Sequence, residues 1–188
     1  MKINKQLNLV VPVETESGIY HIHATPISLE IFERYFRIIG MTFARLQDDG
    51  LIALGPKMAF LTLKEVATEL NSWDSKDGVQ LLINEIIRLS NVSIPSDNGW
   101  SSLPLDSAIK SGAFDDKDLQ KIKGSLVFFT CISSIHDQSL VAATMNHMNG
   151  LWGLLTTSLG FMEYQTTLPT LTETGSSGET EAPLSIPS

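Results

Sequence analysis

The sequence predicts a mainly α-helical domain with an N-terminal β-hairpin, a bundle of about five helices and a disordered C-terminal tail. Three observations carry that prediction. Apolar residues recur at three- and four-residue intervals through most of the chain, the period of a helix with one buried face. They alternate only near the start, where two β-rich runs flank a turn containing glycine. The last stretch loses its core formers and fills with Ser, Thr, Gly, Pro and Glu. A chain of 188 residues suits one such domain, here residues 1–164, followed by the tail, residues 165–188.

The hairpin pairs residues 7–13 with residues 19–25 across a turn ending in Gly18. Pro12 has no N–H to give a ladder, which predicts an edge strand. His21 and His23 share one strand face, and a His-x-His pair can begin a zinc site. No further ligand is spaced to complete one, so both are expected as half-exposed strand residues.

Ser28 is the predicted N-cap of a helix reaching about Leu46, with Ile31, Tyr35, Ile38, Ile39, Thr42 and Leu46 on its buried face and Asp49-Gly50 closing it. Phe32, Phe36 and Phe43 widen that stripe. The helix is therefore either buried on two sides or offers aromatic surface to a partner.

Pro56 opens a second helix over residues 57–71, with Met58, Leu61, Val66, Ala67 and Leu70 as its apolar face, and a third helix follows over residues 79–89. Residues 91–104 collect Pro95, Asp97, Asn98, Gly99, Ser101, Ser102 and Pro104 and read as a loop. Trp100 within it is a candidate interface anchor, since tryptophan is enriched among binding hot spots. A short helix from Leu105 to about Lys110 stops at Gly112, and Asp115 or Asp116 caps a helix over residues 117–136. Cys131 lies in its apolar run and reads as a small buried hydrophobe. A last helix spans residues 139–159.

The net charge of −8 and the lack of a clustered basic run disfavour nucleic acid. The last basic residue is Lys123, beyond which every charged side chain is acidic. Residues 138–162 are largely uncharged but diluted by Asn146, His147, Asn149 and glycines, so membrane insertion is not expected. No signal-type apolar run follows Met1, which makes a cytoplasmic protein the expectation.

Nothing nominates catalysis. The chain has no Gly-x-Ser-x-Gly elbow and no Gly-rich phosphate loop, and Ser134, His136 and Asp137 would splay around a helix. The acidic run Asp115-Asp116-Lys117-Asp118 lacks the glycine and glutamate of a calcium loop. No enzyme activity, cofactor or metal is expected.

The stretch from Leu154-Leu155-Thr156-Thr157-Ser158-Leu159 through Glu163-Tyr164-Gln165-Thr166-Thr167-Leu168-Pro169-Thr170, at the end of a small acidic helical domain and leading into a Ser/Thr/Gly/Glu tail, resembles the tail assembly chaperones of long-tailed bacteriophages. That resemblance implies a protein of the host cytoplasm whose short product and frameshifted longer product bind the apolar tape measure protein while the tail tube assembles. It implies no catalytic residues. On this reading Phe32, Phe36, Phe43 and Trp100 are the partner-binding candidates for an apolar helical client. The alternative is a structural virion or accessory protein, such as a tail or head completion subunit, that self-associates into a ring.

Overall fold

The alternating N-terminal residues do form a hairpin, but it is the middle of a larger sheet. The computed structural model describes residues 6–97 and 99–169. β1 (Asn8–Thr15) and β2 (Gly18–Ala24) pair antiparallel, and Gly18 takes a φ of +116° at the turn, a conformation a side chain would resist. Then come α1 (Leu29–Asp48), a 3-10 turn (Leu51–Leu54), α2 (Gly55–Glu69), α3 (Val79–Arg88), β3 (Ser90–Ser96), β4 (Gly99–Pro104), α4 (Leu105–Lys110), α5 (Asp116–Ile135), α6 (Gln138–Trp152), β5 (Leu155–Thr157) and α7 (Phe161–Thr167). The strands make an antiparallel sheet in the order β4-β3-β2-β1-β5. The chain is thus mainly helical, but with seven helices among the described residues and a five-stranded sheet in place of a lone hairpin.

Residues 91–104 are not a loop. Val92 pairs with Ile22 on one side and Leu103 on the other, and Ser96 pairs with Gly99. Proline, serine and glycine dominate this hairpin because β3 borrows its stability from β2, so its own composition need not look like a strand. The last helix also stops early. Gly153 adopts φ +67° as its C-cap, Leu154 turns into the core, and β5 pairs with Asn8, Leu9 and Val10. β1 is thus not the edge strand that Pro12 predicts but lies between β2 and β5; the proline is tolerated because β5 pairs only with Asn8, Leu9 and Val10 and asks nothing of Pro12. The Pro12 carbonyl accepts a hydrogen bond from Lys121 Nζ at 2.7 Å.

Helix α1 matches its prediction. Ser28 Oγ accepts from the Ile31 N–H at 3.4 Å, and Tyr35, Ile38, Ile39, Thr42 and Leu46 are buried. Helix α2 is turned differently, with Ala59, Thr62, Leu63, Val66 and Ala67 buried and Leu61 exposed. The rotation follows from its neighbour. Every residue of α5 from Gly124 to Ile132 is buried, as an uncharged run demands, and α2 lies directly against it. A Cβ at Gly124 would run into the Pro56 carbonyl oxygen, and one at Gly55 would overlap the Phe128 ring. Two glycines let these helices approach at backbone distance, which brings small residues of α2 to the contact. Cys131 is buried as expected, and burial pushes its thiol pKa up to about 12.

The sheet has two covered faces. Leu9, Val11, Val13, Tyr20, Ile22, Ala24 and Val92 join the helices in the main core. The alternate residues Asn8, Val10, His21 and His23 face away; Leu159 lies against Asn8, and α7 covers His21 and His23. Helix α7 carries the polypeptide past the expected boundary at residue 164, because Tyr164 and Gln165 both bond to the sheet residues beneath them. The rest of the expected tail, residues 170–188, lies outside the described residues.

Gly124→Ala should lower stability by about 1–3 kcal/mol, since a methyl there must push two helix backbones apart. Gly40→Ala on α1 is the control. A Cβ at Gly40 meets nothing within 4 Å, so the change should be neutral or stabilising by up to about 1 kcal/mol. Urea denaturation of both variants checks the pair.

Candidate functional site: an aromatic flank on α1

Ser28 and Gly50 bracket twenty residues of helix, and the periodicity of that helix leaves an apolar flank beside its buried face. Leu29, Phe36 and Phe43 stand seven residues apart, so they repeat every two turns along one side. Leu29 is 70% exposed and Phe36 60% exposed, while Phe32 and Phe43 are partly buried and pack against the core. Phe43 is further held by the ring of His136, edge-on at 5.1 Å. Gly40 leaves an open notch between Phe36 and Phe43. The arrangement is a row of two free side chains and two anchored ones, with room for a partner's side chain between them.

Of the four residues expected to bind a partner, three therefore share this flank. Trp100 does not join them. It sits on β4 at the outer face of the sheet, edge-on to His21 at 5.3 Å. Its indole N–H donates to the Pro169 carbonyl at 3.0 Å, and its own carbonyl accepts from Gln165 Nε2 at 3.0 Å. Trp100 is thus engaged in holding the C-terminal segment. Leu29 is not among the sequence-predicted candidates, because beside the cap Ser28 it lies ahead of the periodic stripe that begins at Ile31. Its seven-residue step to Phe36 was the available signal.

The outer face gathers the second cluster. His23 is 1% exposed, not half-exposed as its strand position suggests, because α7 and the preceding turn cover it. His23 Nε2 lies 3.0 Å from the Leu159 carbonyl, an acceptor only, so this nitrogen carries the hydrogen. Asn8 Nδ2 donates to the same carbonyl at 2.9 Å. His21 Nδ1 meets the Tyr164 hydroxyl at 3.2 Å. Burial lowers the pKa of both histidines, and for His23 the Leu159 carbonyl acts in the opposite direction. Among the described residues no group of three or more His, Cys, Asp or Glu gathers as a metal site.

The sign of the pH dependence follows. A lowered folded-state pKa means the fold favours neutral imidazole. The stability contributed by this docking is present above the ordinary histidine range near pH ~6.5 and is lost as pH falls through it. Amide exchange in α7 should quicken between about pH 8 and about pH 5.5 beyond its intrinsic pH dependence. The His21→Gln/His23→Gln variant should flatten that response, and an unchanged profile would contradict the docking scheme.

No family model, curated protein or solved structure matches this chain.

Proposed function

We propose that the chain is a non-enzymatic chaperone that holds an apolar helical client on the α1 flank, acting as a phage tail assembly chaperone with the tape measure protein as that client. The carrying observation is the exposure of Leu29 and Phe36 in seven-residue register with Phe43. A client helix laid along this seam meets apolar side chains every two turns, the spacing its own apolar stripe repeats. Burying a side chain such as Phe36 contributes on the order of 1–2 kcal/mol, so a few such contacts give reversible binding, which suits a protein that must release its client. The net charge of −8 keeps the free protein and its complex in solution. No helix among the described residues is long and apolar enough to cross a membrane.

One observation favours the virion-subunit alternative. β4 is one of the two edge strands, longer than β5 at the other edge, and Ser101 to Leu103 are exposed along it. Such an edge accepts a strand from a second copy, and a ring of copies could be closed in that way. Mass spectrometry of purified particles separates the readings, because a chaperone departs and a subunit stays.

Phe36→Asp should leave unfolding stability within about 0.5 kcal/mol, since the side chain is mostly in water. The same change should weaken binding to purified tape measure protein by about 1–2 kcal/mol. Phe32→Ala and Phe43→Ala should instead cost stability, by about 1–3 kcal/mol, because both pack against the core. Calorimetric titration beside thermal denaturation reads both quantities. Undiminished binding by Phe36→Asp would remove α1 from the proposal.

A further inference from the structure

A groove of about 410 Å³ opens where α2, α5 and α6 meet, walled by Pro56, Lys57, Lys117, Lys121, Leu151 and Trp152. Its floor is apolar and its rim cationic. Trp152 is pinned there by donating its indole N–H to the Ala53 carbonyl at 2.8 Å, and Leu151 beside it is 53% exposed. Among the described residues none of the three lysines makes an ion pair, although Arg34, Arg45, Arg88 and Lys110 all do. Lys121 donates to the Pro12 carbonyl and keeps its charge uncompensated. Asp116 and Asp118 stand in the first turn of α5 but do not line the groove. In a chain of net charge −8, this is a local reversal of sign around an apolar surface.

We propose that the groove receives the chain's own segment 179–186, with Glu179 and Glu181 against the lysines and Leu184 and Ile186 on Pro56, Leu151 and Trp152. Charge and order both fit. Every charged residue after Lys123 is acidic, and this segment sets two carboxylates immediately before two large aliphatic side chains. The reach fits as well. Pro169 lies on the Trp100 indole, and Glu179 and Glu181 follow ten and twelve residues later, about 33–40 Å of extended chain. A domain of about 165 residues has a radius of gyration near 15 Å, so that length spans its width. Tethering decides the occupant. A segment attached to the same chain acts at an effective concentration of order mM, which a free acidic peptide seldom matches. This inference stands apart from the chaperone proposal and uses none of the α1 residues.

The test is zero-length carbodiimide cross-linking of the dilute full-length chain, with the linked peptides mapped by mass spectrometry. The expected result is intramolecular amide links from Lys57, Lys117 or Lys121 to Glu179 or Glu181, reduced several-fold at about 1 M salt, where screening acts within about 3 Å. Leu184→Asp/Ile186→Asp keeps every reacting group and adds acidic charge. It should nevertheless lower these links at least fivefold, because the aliphatic anchors are gone, and Leu151→Asp in the groove should do the same. Three results would overturn the proposal. They are the absence of such links, links spread equally over Lys64, Lys76 and Lys110, or links undiminished in the two aspartate variants. Links found only between two copies would assign the groove to a neighbouring molecule and overturn it too.

Discussion

The close passage of α2 over α5 is the constraint on which the rest of the structure depends. Gly124 lies under the Pro56 carbonyl and Gly55 under the Phe128 ring, at separations no side chain would tolerate. With the two backbones that near, α5 is enclosed on every side from Gly124 to Ile132, and it becomes the axis around which α1, α3 and β1 arrange. Within its enclosed stretch, Ser125 and Thr130 each bond the carbonyl four residues back, at 2.8 Å, whereas Ser134 Oγ, nearer the helix end, is buried without a partner among the described residues.

Enclosing α5 uses most of the large apolar side chains, and the surface is what remains. The α1 flank keeps Leu29 and Phe36 in water because the buried face of that helix is already complete with Tyr35, Ile39 and Leu46. Among the described residues the second face of the sheet is covered by the turn at Leu159 and by α7, which has no fully buried residue of its own. This cover is held by hydrogen bonds more than by area: Leu159 takes those from Asn8 and His23, Tyr164 and Gln165 of α7 meet His21 and the Trp100 carbonyl, and Pro169 accepts from the Trp100 indole. A cover made that way opens at lower free energy than the core, and it sits beside the one pair of strand histidines. The bidentate pair between Arg45 and Glu69 joins α1 to α2 at 2.9 and 3.0 Å, but it is solvent-exposed, so it orients these helices more than it stabilises them.

Much of this was legible in the residues. Ser28, Pro56, Asp115 and Gly50 mark helix ends because their preferences are backbone properties that act within a turn. The burial of Cys131 followed from its uncharged neighbours, and the excess of Phe32, Phe36 and Phe43 over a single stripe was visible as a count. Trp100 and His23 were misplaced for a shared reason. Each meets residues more than sixty positions distant, Pro169 and Leu159, and no local pattern encodes that meeting.

The residues alone specify most helix starts, the run that must be interior, the hairpin that opens the chain and its acidic balance. Those features depend on propensity, periodicity and charge, which are local or additive. Tertiary contacts alone make strands of residues 91–96 and 99–104, turn Leu61 of α2 to solvent, and bring the lysines of α2 and α5 around one apolar groove. These depend on which surfaces meet. A strand gains its hydrogen bonds from a neighbour distant in sequence, and a helix presents whichever face its closest contact can accommodate.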